Sequence, residues 1–195
     1  MVDFDVVLKW MEYIRNNPEN AYRFSENFWQ SQIDSKRWLL EHIDDSSQTI
    51  CIFGGWYGVL AQFIANKNPS SYIFNTDSDP SCEKVFYQIY SGTGKGHIFH
   101  KTWDMRNGIP NSLDPDLVIN TSSEHVDQDT YDEWWMSIPE GTKYIVQGNN
   151  LEISEHIRIA DNLEDFLRIN RIDDPDYAGQ LNCGTFYRFM AVGIK

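Results

Sequence analysis

Short apolar segments alternate with segments of helical periodicity along most of this chain. Residues 49–54 form an apolar run that ends in Gly54 and Gly55, and apolar residues then recur at helical spacing from Val59 onward. The pattern repeats with a strand predicted over residues 72–77 and a helix that starts at Asp79-Pro80 and runs to about residue 90. The sequence therefore predicts consecutive β-α units.

The same reading extends to both ends of the chain. The first 45 residues predict two helices separated at Asn16-Asn17-Pro18, and residues 91–96 predict a turn-rich loop. Further strands are predicted over residues 97–101, 116–120 and 144–147, with helices over 128–137 and 162–169. Two late strand candidates, 184–189 and 190–194, are equally compatible with one long strand.

Alternating strands and helices of this kind favour a mainly parallel sheet with helices on both faces. We expect a single domain over residues 1–195, with a helical extension or lid at 1–46 and a Rossmann-like core at 47–195. Open parallel sheets bind ligands beyond the carboxyl ends of their strands. The loops after the first five strands are therefore the predicted functional positions.

The first of these loops contains Gly54, Gly55, Trp56, Tyr57 and Gly58. Glycines allow a sharp turn and close approach of the backbone to a ligand, and the helix that follows offers unpaired N–H groups. The spacing is not the G-x-G-x-x-G of dinucleotide-binding proteins, and the two bulky residues leave little room for a pyrophosphate. A smaller nucleoside ligand fits better, although a tight turn without a ligand is an equal alternative.

The second loop carries two acidic residues. Asp77 closes the second strand about 20 residues after the glycines, the spacing at which a carboxylate binds ribose hydroxyls. Asp79 is a second candidate for that role, but its position before Pro80 favours a helix cap.

The segments Ile50–Gly58 and Asn75–Pro80 resemble the class I S-adenosylmethionine-dependent methyltransferases, and they are also similar to small methyltransferase-like proteins of tailed phages. The resemblance implies an α/β fold: a Rossmann-like, mostly parallel seven-stranded sheet with helices on both faces and an antiparallel last strand. It also implies S-adenosyl-L-methionine as the cofactor.

Site roles follow from the same resemblance. The glycine loop would face the methionine part of the cofactor, Asp77 the ribose, and Asp104 the adenine amine, with the Met105 backbone beside the ring. Trp103 fits either adenine stacking or core packing. Thr121 lies in the loop after the fourth strand, where family members contact the methionine end and the substrate.

That loop, residues 120–125, is rich in polar side chains. His125 and Glu124 are the candidate catalytic residues, because an imidazole beside a carboxylate can remove an acceptor's proton. Glu124 could equally bind a substrate amine, and His125 could equally be a surface residue. The loop lacks the Asn/Asp-Pro-Pro-Tyr motif of amino-methylating DNA enzymes, which argues against a DNA adenine acceptor.

Charge and cysteine content exclude other classes. A net charge of −13 disfavours nucleic acid and acidic membranes. The three cysteines show no zinc-type spacing, so we expect no metal site and a reducing compartment. With neither a signal peptide nor a membrane-spanning run, we expect a cytoplasmic protein.

These observations favour S-adenosylmethionine-dependent methyl transfer to a small-molecule acceptor, or to a protein. The alternatives are a protein that binds S-adenosylmethionine or a related nucleoside without catalysis and, less favoured, an NAD(P)-dependent oxidoreductase. The sequence does not define the oligomeric state.

Overall fold

A computed structural model describes residues 4–91 and 97–195 of the chain. Most of the predicted loop at 91–96 lies outside these ranges. The strands are β1 (Thr49–Phe53), β2 (Tyr72–Asp77), β3 (Ile98–Thr102), β4 (Leu117–Asn120), β5 (Lys143–Asn149), β6 (Tyr177–Asn182) and β7 (Tyr187–Ile194). The helices are α1 (Phe4–Asn16), α2 (Ala21–Asn27), α3 (Gln30–Leu40), α4 (Val59–Lys67), α5 (Pro80–Tyr90), α6 (Gln128–Ser137) and α7 (Leu163–Ile169).

The seven strands form one sheet in the order β3-β2-β1-β4-β5-β7-β6. β1 to β5 run parallel to one another, and β7 runs antiparallel to both of its neighbours, β5 and β6. The chain order reverses between β1 and β4, which creates a crevice at the carboxyl edge where ligands of such sheets bind. The predicted Rossmann-like architecture with an antiparallel last strand is confirmed.

Apolar side chains alternate between the two faces of the sheet, as β1 illustrates. Ile50 and Ile52 belong to a core shared with α1 to α5, whereas Cys51 and Phe53 belong to a second core shared with α6 and α7. Because the side chains of a strand point to opposite faces in turn, an apolar strand must be covered on both sides. Helices therefore lie on both faces, as predicted.

Two local predictions differ from the structure. The expected second N-terminal helix is divided into α2 and α3, since Trp29 has extended backbone angles (φ −58°, ψ 146°). β6 was not predicted at all, whereas the alternative of one long strand for the late segment is confirmed by β7. Only one of the six residues of β6 is strongly apolar in character and none is fully buried, so it lacks the alternating pattern of a half-buried strand.

No helix in the described ranges is both long and apolar enough to span a bilayer.

Candidate active site at the carboxyl edge of the sheet

The glycine loop after β1 contains three residues with positive φ angles, a conformation that glycine adopts readily. Gly54 (φ +64°) and Gly58 (φ +78°) are in left-handed conformations, and Trp56 (φ +48°) shares that region without being glycine. A Cβ at Gly55 would lie 1.9 Å from Oδ1 of Asn75, so any side chain there would displace this buried amide. Positive-φ non-glycine residues are uncommon and cluster at ligand sites.

Asp77 joins the glycine loop to the end of β2. Its Oδ2 accepts a hydrogen bond from the Trp56 backbone N–H (3.0 Å), and Oδ1 accepts one from the Asp79 N–H (3.0 Å). The carboxylate is 8% exposed, and its burial raises its pKa despite these two bonds. Each oxygen keeps a further lone pair, so the geometry leaves Asp77 able to accept ribose hydroxyls.

Asp79 caps α5, the role that its place before Pro80 favoured. Oδ1 accepts the Ser81 N–H (2.9 Å), and Oδ2 forms an ion pair with Nη1 of Arg23 (2.8 Å). Partial burial opposes ionisation, but the bonds from Ser81 and Arg23 outweigh it and lower the pKa of Asp79. Asp79 is therefore already neutralised by a guanidinium, whereas Asp77 accepts two backbone N–H groups, which makes Asp77 the better placed ribose candidate.

Arg23 is a residue that sequence reasoning missed. From α2 it also donates to the Tyr57 hydroxyl (3.2 Å), and the neighbouring Phe24 ring packs 4.9 Å from the Tyr57 ring. The helical extension thus contacts the glycine loop directly. No local motif marks an arginine on an amphipathic helix as such a contact.

Asp104 begins a 3-10 turn, Met105–Asn107, after β3. Its carboxylate accepts the Arg106 backbone N–H (2.9 Å) and pairs with the Arg106 guanidinium (2.5 Å), which lowers its pKa. The Trp103 N–H donates to the Asp77 carbonyl (2.8 Å), so this loop is tied to the ribose candidate. Met105 and Trp103 are partly buried against the second core. The Nε1–H of the Trp103 ring donates a hydrogen bond to the Gly108 carbonyl (2.9 Å).

The loop after β4 also reaches the glycine loop. Thr121 is half-buried, and the Ser122 hydroxyl donates to the Gly54 carbonyl (3.3 Å). Ser123 fixes the following turn by donating to the Gln147 carbonyl (2.7 Å). The candidate cofactor residues of the first four loops therefore meet at one edge.

The two candidate catalytic residues have opposite surroundings. Glu124 is 2% exposed, Asn149 donates to its Oε1, and Nη1 of Arg188 lies 3.9 Å away. His125 is exposed, and its ring packs 4.7 Å from that of His156, a residue from the loop after β5. The structure places Glu124 in the interior and only His125 in reach of a solvent-borne acceptor.

Gln147 and Asn149 lie within β5, where both residues are buried. Gln147 accepts a hydrogen bond from the buried Ser35 hydroxyl of α3 (2.9 Å). Its side-chain amide therefore helps to attach the helical extension to the sheet.

No protein-family model and no curated protein sequence matches this chain. Solved structures do match. They include PigF with S-adenosylhomocysteine (TM-score 0.69, 18% identity, 95% of this chain and 62% of that chain). A second match is human N-acetylserotonin methyltransferase with S-adenosylmethionine (TM-score 0.64, 14% identity, 92% of this chain and 57% of that chain). A third is a geranyl diphosphate methyltransferase with sinefungin (TM-score 0.65, 13% identity, 84% of this chain and 77% of that chain).

The fold is therefore that of the class I S-adenosylmethionine-dependent methyltransferases. At these identities the likeness shows the fold alone, and the chain spans about three fifths of the length of the first two structures. None of the comparisons supports the resemblance to small phage proteins, which stays a prediction.

Proposed function

We propose that this protein binds S-adenosyl-L-methionine at the glycine loop and transfers its methyl group to a small-molecule acceptor. The observation that carries the proposal is the Asp77 carboxylate, held against the Trp56 N–H at the carboxyl end of β2. Similar folds crystallised with S-adenosylmethionine or its demethylated product support it.

The residues present suit this cofactor. Gly54 and Gly55 keep the loop close to the sheet, because a side chain at either position would collide with Ser122 or Asn75. Asp77 would accept the ribose hydroxyls, Asp104 and the Met105 backbone would meet the adenine, and Thr121 would lie toward the methionine end. The bound sulfonium supplies an activated methyl group, so this chain has to contribute binding, orientation and handling of the acceptor.

The acceptor side is the loop after β4. The acceptor's nucleophile would form the new bond to the methyl carbon while the carbon–sulfur bond breaks and its electron pair stays on sulfur. His125 is our candidate for binding or deprotonating the acceptor, since it is exposed beside this loop. Glu124, enclosed by Asn149 and Arg188, would act on His125 and the loop and not on an acceptor directly.

Calorimetric titration with S-adenosylmethionine and S-adenosylhomocysteine tests the proposal. We expect binding by the wild type and a loss of about 10-fold or more in Asp77→Asn, since a charged hydrogen bond is worth about 1.5–3 kcal/mol. The exposed Asp173→Asn is the matched control and should bind as the wild type does. Thermal unfolding of each variant separates loss of binding from loss of folding.

Absence of heat with both ligands would overturn the proposal. Binding without turnover across an acceptor screen would support the non-catalytic alternative, and binding of NADH in place of both ligands would support an oxidoreductase.

A further inference from the structure

Glu124, His125 and His156 bring three potential metal ligands together at the carboxyl edge. One ligand atom of each lies within 4.8 Å of those of the other two. Glu124 and His125 belong to the 3-10 turn after β4, whereas His156 comes from the loop after β5. Two chain segments that are distant in sequence therefore converge on one position.

The carboxylate of Glu124 is incompletely paired. Oε1 accepts the Asn149 side-chain N–H, but Oε2 is inaccessible to solvent and has no hydrogen-bond partner. Arg188 approaches Oε1 at 3.9 Å, which is beyond a hydrogen bond. A buried, unpartnered carboxylate oxygen is costly unless a proton or a cation meets it.

Both imidazoles are oriented with a nitrogen lone pair available. Nδ1 of His125 lies 3.1 Å from the Glu155 carbonyl oxygen, and Nδ1 of His156 lies 2.8 Å from that of Leu151. Carbonyl oxygens only accept, so in each ring Nδ1 carries the hydrogen and Nε2 of the neutral ring is left unprotonated. Metal-binding histidines are commonly fixed in this way by a backbone carbonyl behind the ring.

We propose that Glu124, His125 and His156 bind a divalent transition-metal ion of the zinc or cobalt type. Two imidazoles and one carboxylate are a ligand set that such ions accept, and three protein ligands leave coordination positions for water or an acceptor oxygen. Ligand atoms about 2.1 Å from a tetrahedral ion lie about 3.4 Å apart, so the exposed His125 ring would swing inward on binding. Once it binds the metal ion, His125 would position the ion beside the acceptor and would not accept the acceptor's proton.

Metal-free protein without an affinity tag would be titrated with Co²⁺, followed by its visible d–d absorption, and then with Zn²⁺ in competition. We expect one ion per chain in the wild type. His156→Ala should weaken binding by about 100-fold or more, and Glu124→Gln by about 10- to 100-fold. His97→Ala is the matched control, because His97 is exposed and contacts Tyr72 away from the cluster.

Thermal unfolding identifies any variant that fails to fold. If Glu124→Gln fails to fold, His156→Ala still tests the site. Absence of a one-to-one Co²⁺ spectrum, or equal affinity in the wild type and His156→Ala, would overturn the site. The readout involves no S-adenosylmethionine, so its result stands apart from the methyltransferase proposal.

Discussion

The buried amine of Lys36 should make the stability of this protein rise with pH between about 7 and 10.5. Lys36 lies on α3 and is 8% exposed, and its Nζ donates to Oε1 of Gln32 (3.1 Å) and to the Asn27 carbonyl (3.5 Å). Burial, with repulsion from Arg188, lowers the pKa of Lys36 from its usual 10.5 to about 7. Between these two pH values the unfolded chain binds a proton that the folded chain has released, so stability rises with pH.

The size of the effect follows from the shift. At about 1.4 kcal/mol per pKa unit, the shift corresponds to a cost on the order of 5 kcal/mol at pH 6.5, which falls to roughly 1.5 kcal/mol at pH 9.5. Lys36→Met removes this cost and loses the hydrogen bonds to Gln32 and to the Asn27 carbonyl, together worth about 1–2 kcal/mol. We therefore expect the variant to be more stable than the wild type by about 2–4 kcal/mol at pH 6.5, with the difference largely gone at pH 9.5.

Urea unfolding at the two pH values measures the difference, with the exposed Lys84→Met as the control that should show none of this pH dependence. A Lys36→Met protein that is less stable than the wild type at pH 6.5, or a difference that does not change with pH, would refute the reasoning.

Three further perturbations test separate parts of the structure. Gly55→Ala should lower the free energy of unfolding by about 2 kcal/mol or more, because its Cβ meets Asn75. Gly141→Ala, with open space but φ +86°, should cost about 1 kcal/mol in the same denaturation assay. Arg23→Met should destabilise by about 1 kcal/mol, since its ion pair with Asp79 is partly exposed, and equal stability of the two proteins in urea would show that the contact contributes nothing. Asn162→Ala removes the cap bond to the Asp165 N–H (3.0 Å) and should cost about 1 kcal/mol in calorimetric unfolding, with an unchanged melting temperature as the contrary result.

The order of strands and helices in the core could be predicted because each element carries its own periodic signal. Gln128–Ser137 forms the helix at the bounds predicted, and β1 and β2 match within a residue. β6 could not be predicted in this way, because it is an edge strand defined by pairing with β7, and pairing partners are remote in sequence. The same limit hid the break between α2 and α3, which no Gly or Pro marks.

The sequence predicts where the site residues lie better than it predicts their hydrogen-bond and ion-pair partners. The carboxyl-edge loops follow from parallel topology alone, and the structure brings Asp77, Trp56 and Ser122 into that edge. Whether a carboxylate in such a loop is free, however, depends on partners elsewhere in the chain. Arg23 pairs with Asp79 and Arg106 pairs with Asp104, whereas Asp77 accepts two backbone N–H groups, so acids that look alike in sequence differ in the charge of their partners.

The convergence of His156 with Glu124 and His125 shows how tertiary contacts bring potential ligands together without a local motif. The expectation of no metal site rested on the spacing of the cysteines, and the sequence alone gives no reason to group His156 with residues 124 and 125. The Glu124 carbonyl accepts the backbone N–H groups of Ile157 (2.9 Å) and Arg158 (3.1 Å), which anchors the loop after β5 on the turn after β4. His156 directly precedes this anchor, so its ring is held beside His125 whatever the spacing along the chain. If the Co²⁺ titration fails, these backbone bonds would still explain why His156 and His125 lie side by side.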